Sequence, residues 1–247
     1  MLLVGAGHAG VLGSKHDLSL SGSSQFQYDT VQVCVFCHTP HEGNVDDKYG
    51  GSGGLNLRGY LIWNRNTPGY SSFDMYDSES LDYTEVSPQP GPVSVMCLSC
   101  HDGAGAMNVL LNLPGSAGGP GALDPAPFSG VTTNQFGDFS LDDPFVGPLN
   151  IGEAVADGDL GSAIVSPGTN LTNDHPIGFV YNAALATADG ELATPVSDKQ
   201  VDAAGLVRLF EGKLECSSCH EPHNNQYGAF LAMDNTDSAL CRVCHLK

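Results

Sequence analysis

The sequence predicts a mostly irregular fold: coil with few short helices and one small β-hairpin. Among the 247 residues are 31 glycines and 15 prolines, which favour turns and irregular backbone over long regular elements. The motif Cys-x-x-Cys-His occurs four times. No stretch reaches the roughly 18 consecutive apolar residues of a membrane-spanning helix. We therefore expect one unit over residues 1–247 that folds around bound groups, with residues 1–33 as an N-terminal arm able to contact a neighbouring subunit.

The four motifs carry the attachment signature of c-type haem. Two cysteine sulfurs bond to the haem vinyl groups, and the histidine that follows is the proximal iron ligand. The motifs use all eight cysteines, which disfavours zinc knuckles and thioredoxin-like redox pairs. The sequence thus predicts four haem c groups and a multihaem cytochrome c fold organised around a stacked haem chain. The cofactor-binding cysteines are Cys34, Cys37, Cys97, Cys100, Cys216, Cys219, Cys241 and Cys244, and the proximal ligands are His38, His101, His220 and His245.

Two of the five remaining histidines follow a proximal histidine at a spacing of three residues. His41 and His223 each stand directly behind a proline that fixes the turn. A histidine so close to its own motif cannot easily reach the opposite face of the same haem, but it can reach a neighbouring haem. We predict that both are distal ligands within closely packed haem pairs. The alternative is a surface histidine hydrogen-bonded to a haem propionate.

The other three histidines lie far from any motif. His175 stands alone in the long middle stretch. His16 precedes Asp17, and either this carboxylate or a backbone carbonyl could orient the His16 ring as a hydrogen-bond acceptor. We predict that both are iron ligands, against the alternative of structural histidines. His8, in a Gly/Ala segment without an orienting neighbour, is the expected spare. Methionine is the rival sixth ligand, but we expect the methionines near the motifs to pack against haem. These are Met96, Met107 and Met233.

The formal net charge is −19, and no Lys or Arg occurs between Arg65 and Lys199. Nucleic acid and anionic membrane surfaces are therefore excluded as expected partners. A solvated acidic surface is the favoured interpretation. A calcium site at Asp157-Gly158-Asp159 is the alternative, although this segment lacks the glutamate that completes an EF-hand loop.

A few local signals predict regular structure. Residues 201–215 alternate apolar side chains around Glu211-Gly212, which predicts the β-hairpin leading into the third motif. Asn235 begins a run of helix N-cap residues ahead of the last motif. We expect a one-turn helix through each of the four motifs.

The first ten residues lack a basic start and are too short for a signal peptide. Because haem attachment of this type takes place outside the cytoplasm, we expect a chain whose export signal has been removed. The expected location is extracellular or at the cell surface, with the periplasm as the alternative.

Several phrases resemble those of the extracellular multihaem cytochromes, and most of all the OmcE-like tetrahaem filament (nanowire) cytochromes. They are Lys15-His16-Asp17-Leu18-Ser19, CVFCHTPH, CLSCHDG, NDHPIGF and ECSSCHEPHN, and they cover residues 14–44, 95–103, 172–180 and 212–247. The resemblance implies electron transfer without enzymatic catalysis. It also implies a head-to-tail homopolymer that exchanges electrons with other redox proteins or extracellular acceptors, and one axial histidine donated by the adjacent subunit.

His245 lies two residues from the end of this sequence, and His16 lies on the arm at the other end. We therefore expect His16 to ligate the haem of His245 in the adjacent subunit. Two other functions stay open: a soluble periplasmic or secreted tetrahaem shuttle, and a multihaem oxidoreductase with one open haem. The second is disfavoured because the histidines exceed the number needed to close four irons.

Overall fold

A computed structural model describes residues 10–23, 27–40, 62–65, 73–78, 89–101, 109–114, 121–122, 170–172 and 174–246. The predicted positions His8, His41, Met107 and Asp157–Asp159 lie outside these ranges. The described helices are α1 (Pro92–His101), α2 (Ala183–Asp189), α3 (Cys216–Cys219) and α4 (Cys241–Cys244), with 3-10 turns at Val33–Phe36 and Thr236–Ser238. The described strands are β1 (Asp74–Met75), β2 (Val109–Leu110), β3 (Gly121–Ala122) and β4 (Asn170–Leu171).

The described strands are two residues long and form two pairs. Strand β1 runs parallel to β4, with Asp74 opposite Asn170. Strand β2 runs antiparallel to β3, with Leu110 opposite Gly121. Elsewhere the described chain is held by turns and isolated bridges. The prediction of a mostly irregular fold with few short helices is therefore confirmed for the described residues, whereas haem stacking remains a prediction.

Each motif forms a short helix or helical turn, as predicted. The first lies mostly in the 3-10 turn, and the other three lie in α1, α3 and α4. Helix α1 is the longest of them and begins with Pro92, whose fixed φ suits a first helical position. Cys-x-x-Cys spacing places both sulfurs on one side of a single turn, which explains why so little helix is needed.

The predicted hairpin is right at its turn and wrong in its arms. Glu211 and Gly212 both have positive φ, 54° and 77°, and Phe210 and Lys213 exchange backbone hydrogen bonds across them. This is the conformation of a tight two-residue hairpin turn. Beyond the turn the chain leaves its partner, because the Leu214 N–H donates to the Phe179 carbonyl instead. Single bridges thus replace the expected strands.

The apolar core is divided into three clusters, and each includes side chains from inside a motif. The first joins the N-terminal segment to the first two motifs, the second joins the third and fourth motifs, and the third surrounds Leu98 of the second motif. Their buried members are Leu18, Tyr28, Val35, Phe36 and Leu110 in the first, Phe179, Tyr181, Val201, Val207, Leu209, Leu214 and Leu240 in the second, and Phe73, Leu98 and Leu171 in the third.

The described part of the N-terminal arm packs against its own chain. Leu18 and Tyr28 belong to the first apolar cluster, and the Gly10 N–H donates to the His223 carbonyl at 2.7 Å. These contacts place residue 16 inside the fold. Among the described residues there is no helix with the length and apolar character needed to cross a membrane.

Gly178 and Gly190 form a matched pair for testing backbone constraints. Both have positive φ, 78° and 75°, which costs an L-residue about 1–2 kcal/mol. A Cβ at Gly178 would also overlap the Gln89 carbonyl, whereas nothing lies within 4 Å of one at Gly190. We expect Gly178→Ala to lower the thermal unfolding midpoint clearly more than Gly190→Ala. Equal midpoints would show that the Gln89 contact is not tight.

Candidate haem-attachment sites

Motifs that are neighbours along the chain also lie next to each other in the fold, with their cysteines close together. Burial, and then the nearby Cys100 thiol, raise the pKa of Cys37 to about 12. A hydrogen bond between the Cys97 and Cys216 thiols, together with burial, raises the pKa of Cys97. Burial and then Cys244 raise the pKa of Cys219 to about 11. The first motif thus adjoins the second, the second adjoins the third, and the third adjoins the fourth.

We call this series of four adjoining motifs the array, and its first and last motifs each carry one exposed cysteine. Cys34 of the first motif and Cys241 of the fourth are exposed, whereas the other six cysteines are half-buried. None of the eight is in a disulfide, so each motif keeps both sulfurs for thioether formation.

Among the described residues three pairs of histidine rings face each other, and each pair contains one motif histidine. The ring centroids are 5.9 Å apart for His38 and His223, 5.9 Å for His101 and His16, and 6.3 Å for His245 and His175. Metal–imidazole bonds are about 2 Å long, so two imidazoles on opposite sides of one metal ion have ring centres roughly 6 Å apart. The spacing of all three pairs therefore fits an iron between the rings.

The interplanar angles of the three pairs are 13°, 65° and 74°. This spread is compatible with ligation, because each ring can rotate about its own bond to the metal.

The hydrogen bonds of three histidines also fit ligation. The Nδ1 atoms of His175 and His220 lie 2.9 Å from the carbonyls of Pro176 and Ala229, and Nδ1 of His223 lies 3.3 Å from a Glu221 carboxylate oxygen. Carbonyl and carboxylate oxygens only accept, so each Nδ1 donates and each Nε2 keeps its lone pair. Metal-bound histidines characteristically make this second hydrogen bond, which fixes the tautomer and the ring orientation.

His220 is the one motif histidine without such a ring pair in the part of the chain that the structure describes. His41, the remaining predicted distal ligand, lies outside the described residues. A left-handed backbone at Ala229 and Phe230, with φ of 46° and 54°, aims the Ala229 carbonyl at His220. Non-glycine residues in this conformation are strained and tend to persist at functional sites.

The ring of His16 is held between His101 and Phe230. Phe230 stacks on it with a centroid distance of 4.1 Å and an interplanar angle of 13°. The Asp17 carboxylate does not orient the ring as we expected. Its oxygens accept instead from Gly13 N, Ser19 N and the hydroxyls of Ser19 and Ser21. Asp17 therefore shapes the loop that presents His16.

Three of the paired histidines, His16, His38 and His175, have a lowered pKa. Burial, and then the neighbouring His101 and His220, lower the pKa of His16 to about 4. Burial and then His223 lower the pKa of His38, although the Ile62 carbonyl acts in the opposite sense. Burial also lowers the pKa of His175, aided by His245 and opposed by the Pro176 carbonyl. Neutral imidazole is the form that binds a metal.

Within one chain, His16 lies beside a motif histidine other than His245, and its expected contact with the adjacent subunit stays a prediction. His16 lies beside His101 of its own chain, and His245 lies beside His175. The physical reason is the packing of the N-terminal segment: the Gly10 hydrogen bond and the Asp17 loop hold residue 16 near the second and third motifs.

Several residues that organise the motifs carry no sequence signal of that role. Asn64 is fully buried, and its amide donates to the Val35 carbonyl inside the first motif and to the Asn112 carbonyl. Arg65 is buried and donates to the Ser99 carbonyl inside the second motif. Their partners are distant in the chain, so no local pattern could have revealed these contacts. Glu215, directly before the third motif, could have been noticed only by its position ahead of a helix.

Comparison with known families supports the interpretation of the motifs. The family model described as "Doubled CXXCH motif" matches residues 209–247, which contain the third and fourth motifs. No curated protein matches the chain. The doubled motif indicates a multihaem c-type cytochrome that binds haem c covalently and serves electron transfer.

The lowered pKa of the His16 ring predicts a pH-dependent stability for the haem-free chain, in which no iron occupies the ring nitrogen. The unfolded ring takes a proton near 6.5 and the folded ring only near 4, so its contribution is complete above pH 6.5 and falls as the pH approaches 4. From about pH 7 to about pH 4.5 this group should remove on the order of 2 kcal/mol from the free energy of unfolding. Denaturant unfolding at both pH values should show a smaller loss for His16→Gln. Equal losses would mean that the folded His16 ring already titrates near 6.5.

Proposed function

We propose that this chain is an electron-transfer protein with four haem c groups, each held by two histidines, and that it serves as the subunit of an extracellular cytochrome filament. The observation that carries the proposal is the set of three histidine ring pairs spaced near 6 Å. Each pair combines a motif histidine with one from a distant segment. An incidental histidine cluster would have no reason to repeat this combination three times.

The proposed ligand sets follow from the pairs. The first site takes His38 and His223, the second His101 and His16, and the fourth His245 and His175. We assign His41 to the third site with His220, and His8 stays the spare histidine. Supporting evidence is that His223, the corresponding histidine after the third motif, lies beside the histidine of the first motif.

Bound haem supplies a one-electron couple between ferric and ferrous iron. The chain contributes neutral imidazoles on both sides of each iron, apolar clusters around the motifs and fixed spacing between sites. Two histidines per iron leave no coordination position for a substrate, which supports a conduit without enzymatic catalysis. The oxidoreductase alternative would require one open site, and the third is the one whose distal ligand lies outside the described residues.

Surface features at both ends of the array support end-to-end assembly. Val31, three residues before Cys34, is 80% exposed, and Leu246, next to His245, is 65% exposed. Apolar side chains beside the first and last sites are suited to a head-to-tail contact between copies, and such a contact gives a filament when it does not close into a ring. Other redox proteins or extracellular acceptors would then exchange electrons at the ends. The soluble periplasmic or secreted shuttle is the alternative.

Replacing a distal histidine tests the haem assignment. We expect His175→Ala to retain four haems by intact mass, because the cysteines still hold them. One site should become high-spin and bind carbon monoxide, since His245 would then be its only protein ligand. The wild type should show low-spin spectra and no such binding. His8→Ala is the control and should behave as the wild type. A mass with fewer than four haems in the wild type would contradict the haem count, and stoichiometric carbon monoxide binding by the wild type would favour the oxidoreductase.

Electron microscopy of the purified holoprotein tests the filament. We expect regular thin filaments from the wild type, and their loss in Leu246→Asp because a charge would be placed in the contact. Leu206→Asp is the matched control, since Leu206 is a 43% exposed leucine outside the four motifs in the sequence. Discrete particles from the wild type at every concentration would contradict the filament and favour the shuttle.

A further inference from the structure

A buried carboxylate joins the second and third motifs. Glu215 is 2% exposed and directly precedes Cys216 at the start of α3. Its two carboxylate oxygens accept from the Gly91 N–H at 3.0 Å each, and the Ser94 hydroxyl donates to one of them. Gly91 directly precedes α1, which carries the second motif, and Ser94 lies in its first turn. A Cβ at Gly91 would overlap the carboxylate, so the backbone approaches it as closely as glycine allows.

Ser94 closes this network from the other side. It is fully buried, and its hydroxyl oxygen accepts from the Cys216 N–H at 2.9 Å. The Glu215 N–H donates in turn to the Ser218 hydroxyl at 2.9 Å. The network therefore runs from the backbone of the third motif through Ser94 and Glu215 to the backbone before the second. The Cys97 and Cys216 sulfurs lie beside it, within reach of each other.

The cysteines at the other two junctions between neighbouring motifs lie in apolar surroundings. Cys37 and Cys100 pack against the first apolar cluster, and Cys219 and Cys244 pack against the second. Apolar packing is non-directional, so it holds two segments together without prescribing their orientation. Buried hydrogen bonds weaken steeply with distance and angle, and a carboxylate deprived of its donors is costly. The junction of α1 and α3 is therefore directionally specified, by hydrogen bonds made directly between the starts of the two motif-bearing helices.

We propose that Glu215 is a positioning residue which, through Ser94 and Gly91, fixes the separation and orientation of the second and third haem sites and thereby the electron exchange between them. This inference rests on the proposed electron-transfer function. Glu215 acts on the attachment helices and not on iron. Its loss should therefore change the relation between two sites while leaving the ligands of each site in place.

Two variants test this role and two serve as matched controls. Glu215→Gln keeps the shape but replaces an acceptor oxygen by an amide donor that faces existing donors. Ser94→Ala removes the relay hydroxyl and leaves the carboxylate intact. Glu211→Gln makes the same change at an exposed glutamate four residues earlier, and Ser217→Ala removes a hydroxyl elsewhere in α3. Intact mass, low-spin spectra and the thermal midpoint establish that each holoprotein is assembled and folded.

The informative readout is the interaction between the two sites. We expect both Glu215→Gln and Ser94→Ala to lose most of the haem–haem coupling seen in visible circular dichroism. We also expect slower exchange between these two haems in partly reduced samples followed by nuclear magnetic resonance. The double variant should be no worse than the more affected single variant, because the two residues form one network. Both controls should match the wild type.

Coupling and exchange equal to the controls in Ser94→Ala would overturn the proposal, even if Glu215→Gln failed to fold. So would a fall in thermal midpoint with coupling unchanged, because it would show a stabilising role only. Absence of haem at the second or third motif in the wild type would instead contradict the proposed function. The two failures are thus separable by mass before any coupling is measured.

Discussion

The pairing of imidazoles from distant parts of the chain is the constraint on which the rest of the structure depends. In each observed pair one ring is anchored inside a helical motif, and the other comes from a loop whose position only the fold determines. Bringing two rings to a separation near 6 Å requires long-range contacts that a chain rich in glycine and proline does not obtain from regular sheets or long helices. Short helices, tight turns and isolated bridges hold those loops in position instead.

For three rings of these pairs, burial is the main influence on the pKa. Burial lowers the pKa values of His16, His38 and His175, and each of these rings also faces a second histidine that disfavours protonation. Neutral imidazole is the form that binds a metal, so these shifts favour metal binding over protonation. His175, His223 and His245 keep exposed surface, whereas His16 and His38 are half-buried.

The junctions between motifs combine two kinds of contact. An apolar cluster and the buried hydrogen bonds of Asn64 and Arg65 join the first motif to the second, and an apolar cluster joins the third to the fourth. Buried hydrogen bonds through Glu215 and Ser94 join the second motif to the third. A histidine contact links the first motif to the third as well, since His223 follows the third motif and its ring lies beside His38 of the first.

The attachment chemistry can be predicted from the sequence alone, because Cys-x-x-Cys-His is a local covalent signature, and the family match covers two of its four copies. The sequence also predicts the tight turn at Glu211-Gly212, whose glycine allows positive φ. The position of His16 beside His101 of the same chain, and the contact of Glu215 with Ser94 across 121 residues, are visible only in the fold. Local spacing encodes a turn or a motif, whereas the partner of a side chain depends on how distant loops pack.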